Sequence, residues 1–259
     1  MNPSTFRELI KTQGYAVLPG VLSPDQVNRL KAALTRAIAA ESEDHRAHGR
    51  DDQADVSMVL LCAYYGEEFH DLFEIAPLIQ PFEWVMGDGC IVYAYTSSSM
   101  PPHNSNYSGR IHVDSPRLIE GYVSNMGATI LLDDFTTENG ATWFLPASHT
   151  REDAPSSEEF FAKAERVIAP AGSAFYFNAR IWHAGGSNAS DRWRHALTIN
   201  MCRPYMKQRI DIPRALNARG ISPAGVKARQ KLGFLSQVPA SYEEFYLPPA
   251  ERPFQQRAE

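Results

Sequence analysis

Apolar and polar positions divide the chain into two halves of different period. Residues 1–40 read as helix, strand, helix. Phe6 to Lys11 is a short helical candidate that Gly14 stops, Tyr15 to Leu18 is a β-rich run closed by Pro19-Gly20, and a second helix opens at Ser23 and runs to about Ala40. Ser23 is a suitable N-cap with Pro24 in the first helical position. Val27, Leu30, Leu34 and Ile38 recur at helical spacing and give that helix one buried stripe. Glu41 to Asp55 is polar and reads as an excursion. Helical periodicity returns from Glu68 to Met86, with breaks expected at Pro77 and Pro81.

From Cys90 onward the period shortens to two. The runs Cys90–Tyr95, Arg110–Asp114, Ala128–Asp133, Ala141–Leu145, Arg166–Ile168, Ala174–Asn178 and Arg194–Arg203 are β-rich, and turn residues such as Asn139-Gly140 and Gly185-Gly186 separate them. Short strands without intervening helices predict a sandwich or barrel. A last helix is expected after Pro213, capped by Ser222 and ended by Gly233. The fold class expected is mainly β with flanking α-helices around that sandwich or barrel. The chain reads as one domain over 1–259, with N-terminal helices over 1–88, core over 89–210, and C-terminal helix and tail over 211–259.

Composition narrows the function classes. With 25 basic and 30 acidic residues the net charge is −5, so no basic surface for nucleic acid or anionic lipid is implied. The longest apolar run, Met58 to Tyr65, is far short of the roughly 20 residues that span a bilayer. Cys62, Cys90 and Cys202 form no disulfide framework or zinc spacing, which fits a reducing cytoplasm. A small-molecule substrate is the expected partner.

The chemistry concentrates in Arg110-Ile-His112-Val-Asp114. Residues two apart on a strand share a face, so His112 and Asp114 converge on the barrel interior, where an imidazole and a carboxylate suit a divalent metal. His183 is the candidate third ligand, completing two histidines and one carboxylate with open positions. Alternation from Arg194 puts Arg194, Ala196, Thr198 and Asn200 on one face and His195, Leu197, Ile199 and Met201 on the other. A guanidinium on the cavity face needs a carboxylate, and no acid on that strand supplies one; a dicarboxylate cosubstrate would. Arg192 shares the parity. Among the other polar residues, His103, Asn104, Tyr107 and Arg110 lie in the loop before the ligand segment, where substrate contacts are expected. Tyr93 and Tyr95 could line the cavity, His149 reads as a backbone-bonding residue, and His45, His48 and His70 as solvent-facing.

Four stretches resemble the phytanoyl-CoA dioxygenase family of Fe(II)/2-oxoglutarate-dependent oxygenases. They are the opening from Gly14 through Ser23-Pro24-Asp25, the pair His112-x-Asp114, the hairpin from Leu131 through Asn139-Gly140 to Pro146-Ala147-Ser148-His149, and Trp182-His183 through Arg194. The resemblance narrows the core to a jelly roll, the double-stranded β-helix, and implies His112, Asp114 and His183 as catalytic Fe(II) ligands. It also implies 2-oxoglutarate bound by its keto acid at iron and by its far carboxylate at Arg194, with O2 as oxidant and succinate and CO2 released. The implied reaction is hydroxylation, or another C–H oxidation, of a small metabolite or natural-product intermediate. A metal-dependent hydrolase or isomerase, or a silent binding module, is the alternative on the same fold. The family's hydroxyl residue two after the distal histidine is here Gly185, so Thr129 or Thr198 would have to supply the missing donor. The retained Asp114 disfavours halogenation. Ala147 replaces a family glycine and is expected to need only φ < 0.

Overall fold

The computed structural model describes residues 1–50 and 58–252. The N-terminal elements are α1 (Pro3–Thr12), β1 (Tyr15–Leu18), α2 (Pro24–Ala47), α3 (Glu67–Asp71) and α4 (Ala76–Met86). Then come β2 (Ile91–Ser97), β3 (Asn125–Leu131), β4 (Trp143–Phe144), α5 (Ser157–Lys163), β5 (Glu165–Arg166), β6 (Ala174–Asn178), β7 (His183–Ala184) and β8 (Ala196–Cys202). The C-terminal helices are α6 (Ile212–Asn217), α7 (Val226–Lys231) and α8 (Tyr242–Tyr246).

The strands form a double-stranded β-helix, or jelly roll. Five build an antiparallel sheet in the order β1-β6-β3-β8-β2, and three build a smaller sheet in the order β5-β4-β7. Parity along β6 shows how the layers pack. Phe175 and Phe177 point inward, meeting Phe144 of β4 at centroid distances of 4.0 and 5.8 Å. Tyr176 points outward between Phe6 of α1 and Phe82 of α4, and its hydroxyl donates to the Leu78 carbonyl. The large sheet therefore has two buried faces, one against the small sheet and one against helices, so its inner strands are buried on both sides and carry polar residues such as Thr129 and Asn200 among the apolar ones.

Local sequence explains most element ends. Ser23 and Gln26 close a capping box at α2. Gly14 stops α1 in the left-handed region, at φ 83°. Several boundaries depart from expectation. The helix expected to end near Ala40 continues to Ala47, carried by polar residues; Asp51 to Asp55 of the expected excursion lies outside the described residues. Pro81 does not break α4: it sits inside the helix, whose buried face with Leu78, Ile79 and Phe82 outweighs one lost backbone bond. Where one helix is expected between Pro213 and Gly233 there are two short ones, α6 and α7, and the one ending before Gly233 has Gly225, not Ser222, at its N-cap. β3 begins at Asn125, earlier than Ala128, and ends before Asp133, whose carboxylate leaves the ladder to accept from the His195 amide and Lys31. The Arg110–Asp114 run is no regular strand. It adds to the small sheet through a single bridge, His112 to His183, and then bends where the Asp114 and Ser115 amides both donate to the Ala179 carbonyl.

Candidate active site

The bridge between residues 112 and 183 sets the site. Paired backbones bring the two imidazoles together at a centroid distance of 4.2 Å. Each ring is fixed by its own chain, His112 Nδ1 on the Arg110 carbonyl at 2.7 Å and His183 Nδ1 on the Ile181 carbonyl at 2.9 Å. A carbonyl accepts only, so both Nδ1 atoms carry hydrogen and both Nε2 lone pairs are available. These face Asp114 Oδ1 at 3.6 Å from His112 and 3.8 Å from His183. Three ligand atoms, one from each residue, lie within 4.8 Å of one another. The other Asp114 oxygen accepts from Asn200 Nδ2 at 3.1 Å.

The electrostatics follow from crowding. Burial pushes His183 below its ordinary value, with Asp114 pulling the other way. Burial also opposes charge on His112, but the Asp114 carboxylate and the Arg110 carbonyl outweigh it and the net shift is upward. Burial would raise Asp114; His112, the charge of His183 and the Asn200 amide hold it below the ordinary carboxylate range. The cluster is thus a carboxylate facing two imidazoles whose proton affinities are pushed in opposite directions, a donor set that a divalent cation can bind in competition with protons. Phe144 stacks on His183 at 5.5 Å and Phe177 lies at 5.3 Å, walling that ligand from water. Gly127 is required there, because a Cβ would enter the Phe177 ring.

Arg194 lies deeper. It is 1 % exposed, its guanidinium sits 4.2 Å over the Phe135 ring, and its Nε and Nη1 have no partner within the protein. Burial pulls it from 12.5 to about 10, with Asp133 and Tyr107 opposing. A buried guanidinium with donors unspent is built to receive an anion. On the facing strands Thr129 Oγ1 and Thr198 Oγ1 meet at 3.5 Å, as alternation requires.

Some expectations need revision. The position two after His183 shows why it is glycine: Ser108 Oγ occupies the place of a Cβ on Gly185, and the Gly185 amide donates to the Ser108 carbonyl at 2.7 Å. A hydroxyl therefore stands there after all, delivered by a neighbouring loop, which sequence offset could not reveal. Ala147 adopts φ 59° in the left-handed region, contrary to the expected negative φ. Its amide donates to the Gln13 carbonyl, and the next residue's hydroxyl accepts from the Trp182 amide, so the turn is held on both sides.

Tyr95 faces away from the cavity, because a register shift between Val92 and Ala94 turns it onto the helices, where its hydroxyl donates to Phe69. His70 is buried and bonded to the Ala63 carbonyl instead of facing solvent. Arg192 is exposed on the outer surface. His149 does bond backbone, at Lys11. Of the loop residues, Tyr107 approaches Arg194 and Arg110 supplies the carbonyl for His112. His103 pairs with Asp191 at 2.7 Å, and the Asn104 carbonyl accepts from the Asn188 amide, so both are tied to the loop before Arg194.

The family model for phytanoyl-CoA dioxygenase (PhyH) matches residues 10–196. The chain belongs to that family. This makes it a non-haem dioxygenase, an oxidoreductase. An uncharacterized protein of Mycobacterium tuberculosis is 28% identical over 254 residues, covering 95% of this chain and 92% of its own. The dioxygenase FrzG of Cladobotryum sp. is 23% identical and covers 92% of this chain and 87% of its own. Among solved structures, the non-haem α-ketoglutarate-dependent carbocyclase SnoK from nogalamycin biosynthesis superposes with a TM-score of 0.64 at 21% identity, over 86% of this chain and 92% of that one. That likeness concerns the fold. No helix among the described residues of the dioxygenase is long and apolar enough to cross a membrane.

Proposed function

We infer that this dioxygenase uses Fe(II) and 2-oxoglutarate to oxidise a C–H bond of a small metabolite or natural-product intermediate, hydroxylation being the simplest outcome. The observation that carries the reading is the pairing of two open imidazole Nε2 atoms and a carboxylate with a buried guanidinium whose Nε and Nη1 are unspent. That donor set fits a facial triad. Iron with 2-oxoglutarate supplies the oxidation of substrate by O2, as the keto acid loses CO2 and becomes succinate.

The chain's own residues bind, orient and exclude water. His112, Asp114 and His183 hold the metal, and Asn200 fixes the carboxylate rotamer from behind. Arg194 takes the far carboxylate of 2-oxoglutarate, and the Thr129–Thr198 pair offers hydroxyls on the same wall. Ser108 supplies a polar group where Gly185 has none, and Tyr107, Arg110, His103 and Asn104 form the loop that covers the open side. Phe144 and Phe177 keep the His183 edge dry. Residues 1–259 work as one domain in this reading. β1 belongs to the large sheet, and Lys227 and Lys231 tie α7 to Glu83 at 2.7 and 2.9 Å. Buried free thiols at Cys62, Cys90 and Cys202 accord with the cytoplasm.

Anaerobic titration with Fe(II) and 2-oxoglutarate tests the assignment. A weak visible charge-transfer band is expected in the wild type and none in His112→Ala. A folded wild-type protein without that band overturns the reading.

A further inference from the structure

A cavity of about 650 Å³ adjoins the metal-ligating segment. Its wall includes Ser115, the residue after Asp114, together with Asn178 and Arg180, which flank the carbonyl of Ala179 that holds Asp114 and Ser115 in place. Asn125, on the same face of β3 as Gly127, closes it below, and Gly127 pairs with the Asn200 that grips Asp114. Cavity and ligand cluster thus share one short stretch of chain.

The charge in this cavity is one-sided. Arg7, Lys11, Arg117, Arg180 and Arg203 line it against the single carboxylate of Glu120. Among the described residues, none of the five cations has a salt bridge: Arg7 and Arg203 donate to backbone carbonyls, and Arg180 spends both Nη groups on the Pro116 and Arg151 carbonyls. Arg180 is 7 % exposed, and its Nε is unpartnered, as are Asn125 Oδ1 and His149 Nδ1 beside it. A protein of net charge −5 has gathered five uncompensated cations around one hollow, from segments far apart in sequence. Arg180 is the buried member of this set, and a guanidinium buried without counter-charge destabilises a fold unless an anion completes it; Arg7, Lys11 and Arg117 are exposed and able to swing onto the same anion. Over the same cavity the 115–124 loop presents Leu118, Ile119 and Tyr122, all partly exposed. The surface therefore offers positive charge and an apolar cover together.

We propose that this cavity seats the substrate and that the substrate is an amphiphilic acid, its carboxylate or phosphate held among Arg117, Lys11 and Arg180 and its hydrocarbon body under Leu118, Ile119 and Tyr122. The identification of the occupant as substrate rests on the dioxygenase reading above; the preference of the cavity for anions does not.

Calorimetric titration of the metal-free full-length protein with octanoate, octyl phosphate and neutral octanamide separates the two. Saturable binding of octanoate or octyl phosphate at least tenfold tighter than octanamide is expected, and which acid binds tighter identifies the head group. Neutralising two exposed cations, Lys11→Gln with Arg117→Gln, is expected to abolish that preference with the circular dichroism unchanged, while Arg117→Lys alone keeps it. Octanamide binding as tightly as both acids, or a double variant that retains the preference, overturns the proposal. In the Mn(II)-loaded protein, the bound acid's proton resonances are expected to broaden relative to the Zn(II) form. Anion-selective binding without that broadening overturns the substrate assignment, and leaves the iron titration to judge the dioxygenase reading separately.

Discussion

Arg194→Met offers a perturbation whose sign depends on what the buried guanidinium is for. The drop of Arg194 from 12.5 to about 10 corresponds to about 3 kcal/mol against keeping its charge at 1 % exposure. Methionine preserves much of the apolar stem and removes that charge. It also forfeits the stacking over Phe135 at 4.2 Å, worth about 1–2 kcal/mol. The ligand-free variant should therefore be more stable than wild type by about 1–2 kcal/mol, or roughly 2–8 °C in Tm for a chain of this size. Adding 2-oxoglutarate with Mn(II) should reverse the order. A ligand at a hundred times its Kd stabilises the wild type by about 2.7 kcal/mol, whereas the variant has no cation to receive the second carboxylate. Differential scanning fluorimetry with and without 2-oxoglutarate, at fixed Mn(II), reads both effects. A variant that melts below wild type without ligand and still gains with 2-oxoglutarate would refute the argument, because the arginine would then be structural.

Asn200→Ala frees the second Asp114 oxygen and should weaken Mn(II) or Zn(II) binding about 10–100-fold in an equilibrium titration, with little change in the far-ultraviolet spectrum; unchanged affinity would mean that the carboxylate orients itself. Gly127→Ala drives a methyl into the Phe177 ring between two packed strands, and urea unfolding should show a loss of about 1–3 kcal/mol. Ala147→Gly should do the opposite, gaining up to about 1 kcal/mol by relieving a left-handed alanine at φ 59°. Burial holds His149 and His195 below the usual histidine range, His149 in spite of its Lys11 carbonyl contact. The unfolded chain takes up protons near pH 6.5 that the folded sites refuse until lower pH, so their stability contribution is present above about pH 6.5 and is lost as the pH falls through it. His112, shifted upward, opposes this trend. His149→Gln should flatten the acid-side slope of the unfolding free energy, and an unaltered slope would show that His149 is not among its sources.

Short-range pattern carried much of the site. Period-two alternation from Arg194 into β8 placed Thr198 and Asn200 on one wall, and their bonds to Thr129 and Asp114 bear this out for those two. The same rule applied to Arg110–Asp114 gave the right convergence through a segment that is barely a strand, because one bridge to His183 and a bend at Ala179 do what a ladder would have done. Tyr95 went to the wrong face because a bulge between Val92 and Ala94 resets parity, and nothing local announces it. Ser108 was unreadable for a different reason. Its hydroxyl reaches Gly185 across 77 positions of chain, so only the folded path shows that the glycine is making room for it. The basic cavity was hidden by averaging: Arg7, Lys11, Arg117, Arg180 and Arg203 are unremarkable in an acidic sequence until the fold collects them.

The two imidazoles are tethered alike, each to the carbonyl of the residue two before it. Their aim is consequently set by a three-residue length of main chain at each ring, with the packed Phe144 and Phe177 rings backing only His183. Loops that leave the 110–112 and 181–183 main chain in place can be exchanged, lengthened or recharged without turning either ring, so a descendant of this enzyme can acquire a new substrate while its metal-binding apparatus stays as it was.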